Sequence, residues 1–218
     1  MKKFLGTILL AAMILLPTTS CAAQNEIVLP TVETDSELSV MQALSQRQSS
    51  RNFVDESLTT AQLSKILWAA NGINRENGKR VNPAALGVYS VEVYAVTREG
   101  IFLYDAENHK LKPIAKGDFR ATTTTGQSFA SKAAVNLVYV ETPDVWQKAG
   151  RNSSRDSQLS FANIAVGAMV QSVALAAETE GLGNCVRGSI NRDEFKKVAK
   201  LSNEKNILLA QSVGKTSH

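Results

Sequence analysis

Histidine and cysteine are scarce in this chain of 218 residues. The two histidines, His109 and His218, are too few for a histidine-built metal site. The two cysteines, Cys21 and Cys185, exclude a disulfide-rich scaffold and a zinc-ribbon array. Strong charge of one sign is also missing: a net charge of +4 leaves little electrostatic footprint, so no nucleic-acid partner is expected. Several catalytic signatures are absent as well. There is no Walker A sequence, GxSxG, HExxH or CxxC, and no GxGxxG following a strand, so a Rossmann dinucleotide site is not supported. What is present is ordinary for a folded domain. Apolar residues make up 44% and charged residues 20%, which excludes a disordered or low-complexity chain. The length suits one domain or at most two small ones.

The first stretch does not read as part of that domain. Lys2 and Lys3 precede an apolar run over residues 4–16, too short to span a bilayer comfortably. Small residues follow: Thr18, Thr19, Ser20, Cys21, Ala22 and Ala23. This order predicts a bacterial-type secretory leader over 1–23 and an exported protein of the periplasm or cell envelope. Two processing routes are open. Cleavage after Ala23 leaves Gln24 first, whereas lipidation of Cys21 makes a membrane-anchored lipoprotein. A lipobox usually carries Leu three residues before the cysteine, where this chain has Thr18. Either route leaves Cys185 without a disulfide partner. No ordered His and Asn/Asp partners accompany Cys185, so a buried structural thiol is the preferred reading over a catalytic one.

Residues 24–35 form a polar, proline-containing lead expected to be extended. Helices are predicted over Val40–Gln46, with Met41 and Leu44 inward, and from a Thr59 or Thr60 cap to residues 71–72. The second carries Leu63, Ile66, Leu67 and Ala70 at helical spacing. Alternation over 88–97 predicts a strand with Val91, Val93 and Ala95 on one side and Glu92, Tyr94 and Val96 on the other. A turn at 99–100 leads to a strand over 101–104, and 110–114 reads as a short third strand. Residues 134–140 read as a central strand. The longest helix is expected over 157–179, ended by Gly181-Leu182-Gly183. It is apolar nearly all round, so it should be buried on most sides. One small domain rarely encloses a helix so fully, and a dimer interface is inferred. A short helix over 192–199 and a last strand over 207–213 complete residues 36–218 as one domain.

Polar clusters are the remaining candidates for chemistry. Arg47, Gln48, Ser49, Ser50, Arg51 and Asn52 place two guanidinium groups and two hydroxyls close together. In extended chain, positions 47, 49 and 51 point the same way and could clamp a phosphate. A solvated loop beside a helix cap is the competing reading of the same residues. Residues 142–155 are a candidate lid, with Trp146 either capping a pocket or anchoring a surface loop.

The pattern RxSxRxF at 47–53 resembles the phosphate segment of the flavin-dependent nitroreductase family. The resemblance continues in order and spacing: LWAANG at 67–72, RVNPAALGVYSVEVY at 80–94, ALAAETEGLG at 174–183 and LLAQSVG at 208–214. It covers roughly residues 36–215. The stretches 68–72 and 80–94 look most like the thiazoline/oxazoline peptide dehydrogenase branch. The resemblance implies an α+β fold, a mostly antiparallel central sheet flanked by helices, and a homodimer with FMN in its interface. It also implies an oxidoreductase that passes electrons in ping-pong fashion from a donor, NAD(P)H in much of the family, to a small aromatic or heterocyclic substrate.

Carried over residue by residue, Arg47, Gln48, Ser49 and Arg51 would hold the FMN phosphate, ribityl chain or ring oxygens. Pro83, Ala84 and Ala85, with Gly87 close by, would line the ring of the second subunit's flavin. Gln171 would reach the flavin or the interface. Gly188 and Ser189 would present a backbone N–H toward flavin N5, where such a donor stabilises negative charge. Lys215 would grip the phosphate. No protein side chain is implied as a catalytic acid or base, because the chemistry belongs to the flavin. The chain departs from the family pattern at Ala84, where a serine is usual, and at Arg187-Gly188-Ser189, where E-G or I-G is common. Nicotinamide cofactors are scarce outside the cytoplasm, so export calls for another donor, a redox partner or a different reaction. A flavin-storing protein and a cofactor-free interaction protein on the same fold stand as the other readings.

Overall fold

The computed structural model describes residues 25–217; the expected leader over 1–23, Cys21 included, lies outside the described residues. The extended lead opens with a two-residue strand, β1 (Ile27–Val28). The helix α1 (Val40–Gln46) begins at a Ser39 capping box closed by Gln42. A second capping box, Thr59 with Gln62, starts α2 (Thr60–Asn71). Strands β2 (Val91–Val96), β3 (Gly100–Asp105), β4 (Lys110–Lys116) and β5 (Val135–Glu141) follow. After them come α3 (Asp144–Lys148), α4 (Arg155–Thr179), β6 (Gly183–Arg187), α5 (Arg192–Val198) and β7 (Asn206–Gly214).

The seven strands form one sheet in the order β1-β4-β3-β2-β5-β7-β6, with every neighbouring pair antiparallel. Helices cover both faces, which gives the expected α+β architecture. The alternation read in β2 holds. Val91, Val93 and Ala95 join Ile66, Leu67 and Ala70 of α2 and Ala162, Val166, Met169 and Val173 of α4 in one core. Tyr94 and Val96 face the other way, onto Phe195 of α5 and Ile190. All seven residues of β5 are buried, as suits a strand paired on both edges and covered on both faces.

The carboxyl end of α2 shows how side chains replace the missing helical donors. Asn82 Nδ2 donates to the carbonyls of Ala69 (2.7 Å) and Ala70 (2.9 Å), and Trp68 Nε1 donates to the Ile73 carbonyl (3.0 Å). Ser172 of α4 donates to Asn82 Oδ1 at 2.6 Å. The LWAANG and RVNP stretches therefore fasten a helix end to the turn that follows it.

Three expectations need correction. Met41 and Leu44 are 73% and 44% exposed, and Ala43 is the buried residue of α1. A seven-residue helix lies against its neighbour along a narrow stripe, and here Ala43 occupies it. Trp146 does not cap a pocket: it is 1% exposed and stacks on Phe161 with ring centroids 5.8 Å apart. The helix α4 packs through one face only, leaving Ile164 68% exposed beside Gly167 and Gln171. Elements β1, α3 and β6 were not anticipated.

Because Trp146 fills the core, Trp146→Ala should destabilise the chain by about 3–5 kcal/mol. Urea denaturation would measure this, and a loss under 1 kcal/mol would contradict the burial.

Candidate functional site

The segment after α1 runs along the outer edge of β6. Ser50 N–H donates to the Asn184 carbonyl at 2.8 Å, and Ser49 forms a parallel bridge with Asn184. The C-terminal segment then crosses the same residues. Val54 N–H donates to the Lys215 carbonyl (2.9 Å), Ser217 N–H donates to the Asn52 carbonyl (3.0 Å), and Asn52 Nδ2 donates to the Ser217 carbonyl. Three lengths of backbone, distant in sequence, close into a clasp.

Gly183 is the point where they meet. A Cβ there would stand 2.8 Å from Ser50 Cβ and would collide with the Thr216 side chain. The clasp therefore requires a residue without a side chain at this position.

Gln48, Ser49, Ser50, Arg51, Asn52, Thr216 and Ser217 line the resulting open polar cleft, of about 670 Å³. The cleft brings together three sequence-predicted residues, Gln48, Ser49 and Arg51. Arg47 precedes the lining stretch and ends α1, its N–H donating to the Ala43 carbonyl at 2.9 Å. Neither Arg47 nor Arg51 has a hydrogen-bond or ion-pair partner for its guanidinium among the described residues. The Asn184 side chain is 2% exposed, with its Nδ2 buried and unpartnered.

The segment beyond the cleft is pinned electrostatically. Arg98 (2.6 Å) and the buried Arg120 (2.8 Å) both pair with Asp55. Hydrogen bonds from Arg98 first, then Arg120, hold the Asp55 carboxyl down at about 2. Arg120 also pairs with Asp118 at 2.7 Å.

Lys215 is placed differently from the expectation. Its ammonium pairs with Glu56 at 2.7 Å, and only its carbonyl serves the clasp. Its residue number is right for the clasp, but its charge is neutralised on the exposed side.

Gly188 and Ser189 lie at the other end of β6 from the cleft. Gly188 is exposed, and its carbonyl accepts from Arg192 Nη1 at 3.4 Å. The Ser189 hydroxyl hydrogen-bonds the Thr125 hydroxyl. Pro83, Ala84, Ala85 and Gly87 do not line the cleft of their own chain. They form a surface turn in which Leu86 and Gly87 take positive φ, 56° and 70°. Beneath it, Pro83 and Ala84 share with Ala165 and Met169 a void of about 10 Å³, too small for any ring. Gln171 is exposed on α4 and has no partner for its side chain among the described residues.

Sequence reasoning gave no role in the site to Gly183, Asn184, Thr216 or Ser217. Ser50 and Asn52 sat inside the recognised segment but were given no role. The pairing that recruits the others spans more than a hundred residues, and no local pattern announces it.

Comparison with known proteins places this geometry. The nitroreductase family model matches residues 44–215. A protein of Methanocaldococcus jannaschii described as a nitroreductase is 29% identical over 189 residues, covering 81% of this chain and 90% of the relative. A crystal structure from Ralstonia eutropha JMP134, also described as a nitroreductase, superposes with a TM-score of 0.81 at 31% identity; the match covers 89% of this chain and 91% of that one. A third, from Desulfovibrio desulfuricans and solved in complex with FMN, has a TM-score of 0.60 at 19% identity, covering 84% and 89%. The family match begins within α1 and ends at Lys215, so it spans the cleft lining except Thr216 and Ser217, and this chain belongs to the nitroreductase family.

Proposed function

We propose that the protein is an FMN-dependent oxidoreductase of the bacterial cell envelope, acting as a homodimer on a small aromatic or heterocyclic substrate. One observation carries the cofactor reading: Arg51 lines a polar cleft, Arg47 directly precedes its lining stretch, and neither guanidinium has a partner among the described residues. Guanidinium groups free to make bidentate hydrogen bonds suit a phosphate dianion. The hydroxyls of Ser49 and Ser50 and the amides of Gln48 and Asn52 add neutral donors along the cleft. The relative crystallised with FMN has the same fold.

Bound FMN would supply the redox chemistry, taking two electrons from a donor and passing them to an acceptor. The chain's own contribution is to bind and orient. Arg47, Arg51 and Ser49 would grip the phosphate end. The Gly188–Ser189 turn would offer backbone N–H groups to the ring. Pro83, Ala84, Ala85 and Gly87, with Gln171, would reach the ring from the second subunit. Lys215 would act through the clasp rather than through its ammonium.

The dimer reading rests on unburied apolar surface. Ile164 of α4 is 68% exposed, Leu86 59%, and Val40 and Met41 of α1 67% and 73%. A helix as apolar as α4, with only a third of its most apolar stretch buried, is stabilised by a second copy. The substrate class rests on the likeness of 68–72 and 80–94 to the peptide dehydrogenase branch. The envelope location rests on the leader pattern at 1–23 and is read out by cell fractionation.

The first experiment is the visible spectrum of the purified chain, with its released cofactor identified by chromatography. A flavin spectrum that releases FMN is expected. Protein that stays colourless after incubation with FMN overturns the reading. Screening NADH, NADPH and artificial donors then identifies the electron source.

Losing one charge-assisted hydrogen bond costs about 1.5–3 kcal/mol, so Arg47→Ala and Arg51→Ala should each weaken FMN binding ten- to a hundredfold in fluorescence titration. Lys215→Ala should change it less than threefold. Gly183→Ala should lower FMN affinity at least tenfold by forcing Ser50 and Thr216 apart; unaltered affinity would remove the clasp from the site. Ile164→Arg should convert the dimer to monomer in sedimentation experiments, and a wild-type chain already monomeric would overturn the dimer.

A further inference from the structure

Arg187, the last residue of β6, is 3% exposed. Its guanidinium makes four hydrogen bonds: Nε to Ser212 Oγ (3.0 Å), Nη1 to the Thr123 carbonyl (2.7 Å), and Nη2 to Thr123 Oγ1 (3.2 Å) and Asn136 Oδ1 (2.8 Å). Every acceptor is neutral, and no carboxylate pairs with this cation among the described residues. Arg120 makes the contrast. It is equally buried, but Asp55 and Asp118 neutralise it. A buried cation without a counter-ion is costly, and a neutral side chain could fasten the same loop more cheaply. Burial pulls the Arg187 guanidinium down only to about 10, so it stays charged at neutral pH.

Its position gives that charge a use. The next residues are Gly188 and Ser189. Thr123, which holds Arg187, lies two residues from Thr125, which holds Ser189. Arg192 holds the Gly188 carbonyl. Strand β6 runs from Asn184 at the polar cleft to this turn, four residues and therefore about 13 Å. An FMN molecule held by its phosphate at one end has the reach to bring its ring toward the other.

We propose that Arg187 is a fixed positive charge set behind the Gly188–Ser189 turn, favouring the negative charge that a bound flavin takes up on reduction. The proposal rests on the FMN reading of the cleft. Field lines through a dry interior are weakly screened, so direct contact is not required. Arg187 is a tuning residue here, acting through space and not touching substrate.

The test is the midpoint potential of FMN bound to the full chain, together with its affinity for sulfite, an anion that adds to electron-poor flavins. Arg187→Gln removes the charge. Asn136→Asp keeps Arg187 and its hydrogen bond and sets a carboxylate beside it, giving up the Asn136 Nδ2 bond to the Ala130 carbonyl (2.8 Å). Both should lower the preference for reduced over oxidised FMN at least tenfold, about 30 mV for a two-electron couple, and weaken sulfite binding. Arg187→Lys should stay within threefold of wild type. If Arg187→Gln does not fold, Asn136→Asp decides. A yellow protein whose potential ignores Asn136→Asp overturns this proposal alone, leaving Arg187 as a peg. A chain that takes up no FMN overturns the cofactor reading with it.

Discussion

The antiparallel ladder between β5 and β7 carries the rest of the molecule. It joins residues 135–141 to 206–214, a separation that local propensity cannot close. Every β5 side chain is buried, so both faces of the ladder must be covered. Helices α2 and α4 cover one and α5 the other. Polar groups inside it are matched in pairs: Tyr139 with Gln211 (2.8 Å), and Asn136 with Ser212 (2.6 Å). Glu141, fully buried, takes both terminal nitrogens of Arg155 at 2.6 Å and an Asn206 amide. Removing Tyr139, Gln211 or Arg155 would take away a hydrogen bond to a buried oxygen, whereas Asn136 and Ser212 are also held by Arg187.

The candidate site follows from that ladder. Strand β7 aligns β6 beside it, and beyond Gly214 the chain turns across the segment leaving α1. The polar cleft is thus made of backbones whose positions the core dictates. Its charged groups divide in two. Asp55, Glu56, Arg98, Arg120 and Lys215 are paired with one another around the clasp, and the guanidinium groups of Arg47 and Arg51 have no partner among the described residues.

Much of this was legible because it is local. Ser39 and Thr59 begin helices through their own hydroxyls, so α1 starts and ends where the sequence says, and α2 begins at its cap. The β2 alternation sorts its residues correctly between two cores. The family segments are short and ordered along the chain, which made recognition possible. What was hidden is long-range. Nothing local in Gly183-Asn184-Cys185-Val186-Arg187 announces a strand; pairing with β7 makes it one. Trp146 reads equally as a lid or as an anchor until Phe161 is seen stacked against it, which settles on the anchor. The charge on Lys215 reads as available until Glu56 is found beside it. Met41 and Leu44 follow the apolar pattern of a packed helix, yet the described residues leave both exposed.

The segment lining the cleft has a second duty. A sheet of this kind has two open edges, each a row of unpaired amides ready to recruit another strand. On one edge, β1 covers Lys110 and Leu111 of β4, while Lys112, Pro113 and Lys116 blunt the remainder with charge and a missing N–H. On the other, among the described residues, the bridge at Ser49, the Ser50–Asn184 hydrogen bond and the Thr216 side chain beside Gly183 cover the start of β6, while its Val186 is 39% exposed. The same few residues that line the candidate cleft therefore also cover part of a sheet edge. A molecule bound along residues 48–52 would add cover to that edge, which would tie its readiness to recruit another strand to occupancy of the cleft.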